Sequence, residues 1–141
     1  MQAGMDCCDS AIFNESAATS VLRGCFVVYD STNTGVESKV KLPAAALAIG
    51  VAGCIDAVSA SGGEVVSFCK EGRCFCKSDG SGALTPGTKL VIADSQGRVK
   101  AKPGGAITDP FDIVGTVVEY APATADVLFV ADVETNEEYT S

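Results

Sequence analysis

The order of apolar and polar positions along this chain is typical of β-strands. Short apolar runs rich in Val and Ile alternate with clusters of Gly, Pro, Asp and Ser, as expected for strands separated by turns. The runs are residues 26–29, 48–52, 63–69, 89–93, 112–119 and 126–130. Outside them, no segment has the period of a long amphipathic helix. The pattern therefore predicts an all-β protein.

Three of these runs recur in the same order, 62 to 65 residues later. Residues 26–31 (FVVYDS) match 90–95 (LVIADS), 49–52 (IGVA) match 114–117 (VGTV), and 64–68 (EVVSF) match 126–130 (DVLFV). One unit of about four short strands buries too little surface to be stable alone, so the two copies must share a core. The sequence thus predicts a single compact antiparallel β-barrel or sandwich, built from two internal repeats with pseudo-twofold symmetry. Gly50 and Gly115 fall at equivalent positions and are expected to mark a bulge, a barrel corner or a close backbone approach.

The remaining segments define the predicted organisation. One β domain covers residues 23–131, with repeat one at 23–69, an inserted hairpin at 69–77 and repeat two at 86–131. Residues 1–22 contain apolar residues without a period, which predicts an extended N-terminal arm. Residues 132–141 are acidic and polar, which predicts a solvated C-terminal tail.

The chain has seven cysteines, an odd number, so at least one is expected to be free or paired between chains. In the predicted hairpin, Glu71 and Gly72 form the turn, so Cys69 faces Cys74. The pair forms a disulfide in an oxidising medium or packs as two thiols in a reducing one. Cys74 and Cys76 share one face of a strand, but the paired knuckles typical of structural zinc are missing. We expect no metal and no cofactor.

Composition narrows the function classes further. The chain has no His, so triads of Ser, His and Asp and dyads of Cys and His are excluded within one copy. No glycine-rich phosphate loop is present, and we expect the protein not to be an enzyme. A thiol-based enzyme or redox protein that uses Cys74 and Cys76 is the remaining catalytic hypothesis.

Charge and hydropathy bear on the partners. The net charge is −8, which disfavours binding to a phosphate backbone, so no nucleic acid is expected. No apolar run approaches the roughly 18 residues of a membrane helix, and no membrane partner is expected. Residues 1–16 carry three acids and no base, the reverse of a secretory leader, which predicts synthesis in the cytoplasm. Acidic ends around a mildly basic middle suit docking between protein copies, but on charge alone the favoured interpretation is that acidic ends keep the protein soluble.

The repeated stretches carry a family resemblance. Residues 24–31, 48–52, 62–68, 86–100 and 113–130 resemble the small capsid cement, or decoration, proteins of tailed bacteriophages. The resemblance implies a structural virion protein that binds the outer surface of the expanded capsid and clamps adjacent major-capsid subunits. It implies the major capsid protein and further copies of this chain, often as a homotrimer, as partners. The many cysteines, the hairpin and the acidic tail depart from the family pattern.

Four residues are predicted to make these protein contacts. Ile12 and Phe13 are the expected apolar anchors of the arm, because buried apolar side chains dominate interface energies. Arg73 and Lys77 are expected to pair with acidic capsid loops or with the acidic tail of a neighbouring copy. The alternative hypothesis is a non-enzymatic β module that binds a peptide or a glycan. The low aromatic content, with no Trp, disfavours stacking on a glycan.

Overall fold

The computed structural model describes residues 8–56, 59–104 and 111–139. Within these ranges the chain forms strands and turns but no helix, which confirms the predicted all-β class. It follows that no helix in the described part could span a membrane. The strands are β1 (Cys8–Phe13), β2 (Ser20–Val21), β3 (Phe26–Tyr29), β4 (Lys39–Lys41), β5 (Val51–Ile55), β6 (Ala60–Ser61), β7 (Val65–Cys69), β8 (Glu71–Lys77), β9 (Lys89–Ile92), β10 (Val99–Ala101), β11 (Phe111–Val117) and β12 (Leu128–Tyr139).

The first half of the chain forms a closed barrel in the order β1-β4-β3-β5-β7. Its strands pair antiparallel, except that β1 lies parallel to β4. A short antiparallel pair, β2 with β6, adjoins this barrel in sequence. Alternate positions point inward and form a core of Ala11, Phe13, Val21, Cys25, Val27, Val40, Ala52, Ile55, Val66 and Phe68.

The second half repeats the same strand plan. Its sheet has the order β10-β9-β11-β12-β8. When β8, β9, β10, β11 and β12 are matched to β1, β3, β4, β5 and β7, every neighbour in this order has its counterpart in the barrel. A parallel bridge from Ser78 to Val99 brings the end of β8 to β10, just as β1 lies parallel to β4. The duplication predicted from the sequence is therefore a duplication of topology.

The turns are duplicated as well. Gly24 and Gly87 both have positive φ, 87° and 93°, at the third position of a turn. Each turn is closed by a backbone hydrogen bond of 3.1 Å, and glycine adopts this conformation without steric cost. Asp30 and Asp94 each accept a 3.0 Å hydrogen bond from the backbone N–H two residues later. These matches extend the repeats to residues 8–69 and 71–139.

The predicted hairpin at 69–77 is wrong. β7 pairs with β1 and β5, whereas β8 pairs with β12, so the chain passes from the barrel to the second sheet at Lys70. Cys69 and Cys74 still form a disulfide, but their Cα atoms are 7.1 Å apart, farther than directly paired residues on neighbouring strands. The segment is not an insertion, because β8 is the first strand of the second repeat.

The extended arm and the solvated tail also need correction. Residues 8–13 form β1 and close the barrel between β4 and β7, while the arm residues before Cys8 lie outside the described part. At the other end, β12 runs to Tyr139, and its last residues pair with the start of β11. Backbone pairing explains both differences, because the hydrogen bonds of a strand ladder join main-chain groups and do not require apolar side chains.

The two halves share the largest core. Its buried members from the first half are Phe26, Val28, Val51 and Cys54, and they pack against Leu90, Ile92, Val99, Val114, Phe129 and others of the second half. Backbone groups also meet there, since the Phe26 amide donates to the Gly97 carbonyl at 2.8 Å. The buried Asp112 carboxylate accepts a 3.0 Å hydrogen bond from the Val51 amide. β3 and β5 thus belong both to the barrel and to the contact between halves.

Candidate protein-contact face

The outer face of β8 and β12 carries a ladder of four cross-strand pairs. Odd-numbered residues of β8 and even-numbered residues of β12 share this face, because side chains alternate along a strand. The directly opposed pairs are Glu71 with Glu134, Arg73 with Asp132, Phe75 with Val130 and Lys77 with Leu128. The opposite face packs inward, with Cys76, Phe129 and Ala131 in the shared core. We call these eight residues the β8–β12 face.

The centre of the β8–β12 face is an exposed aromatic ring flanked by cations. Phe75 is 45% exposed, and the guanidinium carbon of Arg23 lies 4.9 Å from the centroid of its ring. This distance is within the range of a cation–π interaction. Arg73 Nε donates to Asp132 Oδ1 at 3.0 Å, but both side chains are more than half exposed, so this pair adds little stability.

The turn at Leu22–Cys25 positions Arg23 beside this face. The amide of Lys77 donates to the carbonyl of Gly24 at 2.8 Å, which fixes the turn against the end of β8. Gly24 has a φ of +87°, and a Cβ atom there would approach the Leu128 side chain to 2.6 Å and the Lys77 amide nitrogen to 3.0 Å, so any other residue would be strained at this position. The arrangement is already formed in one copy of the chain.

The centre of this face has the composition of a protein-contact surface. Aromatic residues and Arg are enriched in interfaces and at their energetic hot spots, whereas Lys, Glu and Asp are depleted. The centre combines Phe75, the guanidinium groups of Arg73 and of the adjoining Arg23, and the apolar Leu128, which is also exposed. Chemically, it can bury an aromatic ring while its cations pair with carboxylates of a partner.

The structure separates the four predicted contact residues. Arg73 and Lys77 both lie on the β8–β12 face. Ile12 lies on the outer side of β1, beside the exposed Val65 of β7 and opposite Lys39 of β4, and its role as an anchor stays a prediction. Phe13 is wrong as a docking anchor, because its side chain is 0% exposed inside the barrel.

Sequence reasoning missed Phe75, although the signal was present. Cys74 and Cys76 were assigned to one face of a strand, and the same alternation places Arg73, Phe75 and Lys77 together on the other. An aromatic residue between two cations on one strand face is a stronger interface signal than either cation alone.

A second exposed apolar feature is a groove at one end of the barrel. It has a volume of about 540 Å³ and is lined by Val28, Tyr29, Ser31, Lys41, Ala44, Ala45, Ala46, Ala48, Ile49 and Gly50. Leu47 anchors this loop, because its amide donates to the Ile92 carbonyl at 2.9 Å and its side chain packs on Val91 and Phe111. Ile49 on the other side of the loop is 55% exposed.

The cysteines do not form a catalytic pair on Cys74 and Cys76. Cys74 is joined to Cys69, and Cys76 is fully buried. Burial raises the pKa of Cys25 to about 11, and burial with the neighbouring Cys76 thiol raises the pKa of Cys54 well above its usual value. Such thiols are poor nucleophiles at neutral pH. Among the described residues, no three Cys, Asp or Glu side chains are arranged to hold a metal ion.

Comparison with known proteins shows a likeness in structure but not in sequence. No family model matches the sequence, and no curated protein matches it. In three dimensions the chain is similar to the N base of the head fiber gp8.5 of bacteriophage phi29. The likeness covers 90% of this chain and 92% of that one, with a TM-score of 0.60 and 12% sequence identity. It establishes that the two chains share a fold over almost their whole length.

Proposed function

We propose that this chain is a structural protein of a phage virion that binds the outer surface of the capsid and stabilises the head. The observation that carries the proposal is the likeness in fold, over 90% of the chain, to a base domain of a phage head fiber. The resemblance of the repeated stretches to phage cement proteins supports the same role independently. The role needs no catalysis, which agrees with the absence of His from the sequence.

In this proposal the β8–β12 face docks on the major capsid protein. Phe75 and Leu128 provide the apolar contact, while Arg23, Arg73 and Lys77 pair with carboxylates on the capsid surface. A single patch of this size binds weakly. A homotrimer that contacts several capsid subunits gains affinity through avidity, and it thereby clamps neighbouring subunits together. The protein is then made in the host cytoplasm and resides on the outside of the virion.

Co-sedimentation tests the proposal. The purified chain is mixed with expanded heads of its own phage from which this protein has been stripped, and the pelleted fraction is measured against concentration. Saturable pelleting at a fixed ratio to capsid subunits is the expected result, and a ratio related to threefold positions supports trimers. A chain that stays in the supernatant while retaining its strand-rich circular dichroism spectrum contradicts the proposal.

Two variants assign the contact. Phe75→Ala is expected to weaken capsid binding at least tenfold, which corresponds to the loss of a hot spot of about 1.4 kcal/mol or more. Tyr120→Ala is the matched control, because Tyr120 is an exposed aromatic residue outside the β8–β12 face. Equal binding by both variants would show that the β8–β12 face is not the contact. The capsid role itself is decided by co-sedimentation of the wild-type chain.

The groove beside Ile49 favours a second candidate, a non-enzymatic module that binds a peptide. Its alanine-rich walls, the exposed Tyr29 and the cation of Lys41 suit an extended apolar peptide with an acidic group. This candidate predicts a monomer whose ligand binding is lost in Ile49→Asp and unaffected in Phe75→Ala. The capsid role predicts that binding to the capsid is weakened in Phe75→Ala and unaffected in Ile49→Asp.

A further inference from the structure

Three cysteines meet at the junction between the barrel and the second sheet. A cavity of about 220 Å³ is lined there by Cys8, Cys69 and Cys74 together with Arg23, Asp56, Arg73 and Phe75. Each cysteine comes from a different strand: Cys8 lies on β1, Cys69 on its barrel neighbour β7, and Cys74 on β8 of the second sheet. The site adjoins the β8–β12 face and shares Arg23, Arg73 and Phe75 with the proposed capsid contact, but the three cysteines take no part in that contact.

The strand register brings Cys8 to the disulfide. Cys8 of β1 is the direct antiparallel partner of Cys69 of β7, so both side chains leave the barrel on the same side. Cys69 is already bonded to Cys74 of β8. The Cys8 thiol donates to Asp56 Oδ2 at 3.5 Å, which holds its sulfur at the wall of the same cavity.

The surroundings are suited to thiol chemistry. Cys8 is exposed and Cys74 is half-buried, so a thiol at either position can reach solvent. The guanidinium groups of Arg23 and Arg73 line the cavity, and nearby cations favour the thiolate forms that attack and leave in disulfide exchange. Asp56 is the hydrogen-bond acceptor of the Cys8 thiol.

We propose that Cys8, Cys69 and Cys74 form an intramolecular thiol–disulfide exchange site. The Cys8 thiolate attacks Cys69 Sγ, a Cys8–Cys69 bond forms, and the Cys69–Cys74 bond breaks with Cys74 leaving as a thiolate. The proton lost by Cys8 is taken up by Cys74 through solvent. The number of disulfides is unchanged, so the step needs no oxidant and no reductant.

Exchange changes what the disulfide holds together. The Cys69–Cys74 bond ties the barrel to the first strand of the second sheet across Lys70. The Cys8–Cys69 bond instead ties β1 to β7 within the barrel. It thereby fixes the chain at Cys8, directly after residues 1–7. The site thus selects between a covalent link across the two halves and a covalent anchor for the N-terminal segment.

Disulfide mapping of the full chain tests the proposal. The protein is held at pH 8 without reductant, quenched with acid, alkylated, digested with trypsin and analysed by mass spectrometry. Trypsin leaves Cys8 in peptide 1–23, Cys69 in 42–70 and Cys74 in 74–77. We expect peptide 42–70 linked to 74–77 in part of the sample and to 1–23 in the rest.

Three variants identify the attacking sulfur. Cys8→Ser is expected to lose the link from 1–23 to 42–70 completely, whereas Cys7→Ser, the adjacent control, retains it. Cys74→Ser, incubated with oxidised glutathione, is expected to form that link quantitatively. The proposal is overturned if wild type and Cys74→Ser both lack the link, or if the link survives in Cys8→Ser. Should Cys74→Ser fail to fold by circular dichroism, the wild-type and Cys8→Ser maps decide the matter alone.

Discussion

Phe13 is the largest side chain that β1 contributes to the barrel interior, and it has no exposed surface. Its replacement by Ala is expected to lower the free energy of unfolding by about 3–5 kcal/mol, because the barrel cannot close around the cavity. Ile12→Ala, next to it on the outer side, should cost roughly 1 kcal/mol. Urea unfolding of both variants measures the difference. Equal costs would contradict the inward position of Phe13.

Asp30 contributes stability that depends on pH in a specific range. Hydrogen bonds from the Thr32 hydroxyl at 2.7 Å, the Asn14 side chain at 2.6 Å and the Thr32 amide at 3.0 Å lower the pKa of its carboxyl from 3.8 to about 2. The folded pKa is below the unfolded one, so this contribution is fully present above about pH 4 and is lost as the pH falls through about 2.

The Asp30→Asn variant checks this assignment. The difference in unfolding free energy between wild type and variant should be constant from pH 7 to about 4 and then shrink toward pH 2. Chemical denaturation across this pH series gives the curve directly. A difference that stays constant down to pH 2 would mean that the carboxylate is not held by these hydrogen bonds in the folded state.

At the scale of the strands, glycine marks where two of them approach most closely. A Cβ at Gly53 of β5 would come within 2.5 Å of the Cys69 carbonyl oxygen, and a Cβ at Gly115 of β11 within 2.6 Å of the Asp132 carbonyl oxygen. The equivalent glycines of the two repeats are therefore Gly53 and Gly115. Gly50, which the sequence match aligned with Gly115, precedes β5 and has open space around it.

Alanine substitution distinguishes these glycines from unconstrained ones. Gly53→Ala and Gly115→Ala should each destabilise the protein by about 1–3 kcal/mol, because backbone rather than a flexible side chain must move. Gly82→Ala is the control, since a Cβ there meets nothing within 4 Å, and its effect should stay within about 0.5 kcal/mol. Thermal unfolding ranks the three variants. A neutral Gly53→Ala would disprove the close approach.

Individual strands were predictable from the sequence, but their partners were not. The alternation and the bounded apolar runs located β3, β5, β7, β9, β11 and the start of β12. The same pattern cannot show that β8 pairs with β12, 51 or more residues away, rather than with β7 next to it. The sequence Glu71-Gly72 is compatible with the turn of a local hairpin. The hairpin does not form because β1 closes the barrel and pairs with the edge of β7 that β8 would need.

The β8–β12 face was predictable to the same extent. Arg73 and Lys77 could be selected from one strand alone, and strand alternation adds Phe75. The opposing residues Asp132, Val130 and Leu128 depend on long-range pairing, and Arg23 reaches the ring only because its turn packs on Lys77. Half of this surface is therefore a property of tertiary structure.

For the whole molecule, duplication explains why both acidic ends are ordered into sheets where described. The first repeat starts with β1 and the second with β8. In the first, β1 connects β7 to β4, and in the second, β8 pairs with β12 while the residue after it bridges to β10. The segments that looked like an arm and an insertion are thus the same element in two copies. Their sequences have diverged, and only the strand plan reveals the match.

The two halves are nonetheless unequal, which makes their separate folding a test of how the core is shared. Among the described residues, every buried member of the barrel core lies between Ala11 and Phe68. The main cluster of the second half is shared instead, because Phe26, Val28, Val51 and Cys54 of the first half complete it. The second half alone also loses the partner of Asp112, whose carboxylate accepts the Val51 amide.

Fragment 71–141 is therefore expected to stay unfolded alone, since a unit of this size is marginal even with a complete core. Fragment 1–70 should keep its barrel but unfold at a lower denaturant concentration than the full chain, with apolar surface of β3 and β5 exposed. Mixing the fragments should restore strand content and raise the midpoint, because the missing core residues return in trans. Circular dichroism with urea titration follows all three samples. Cooperative unfolding of isolated 71–141 would show that the second sheet builds its core without the first half.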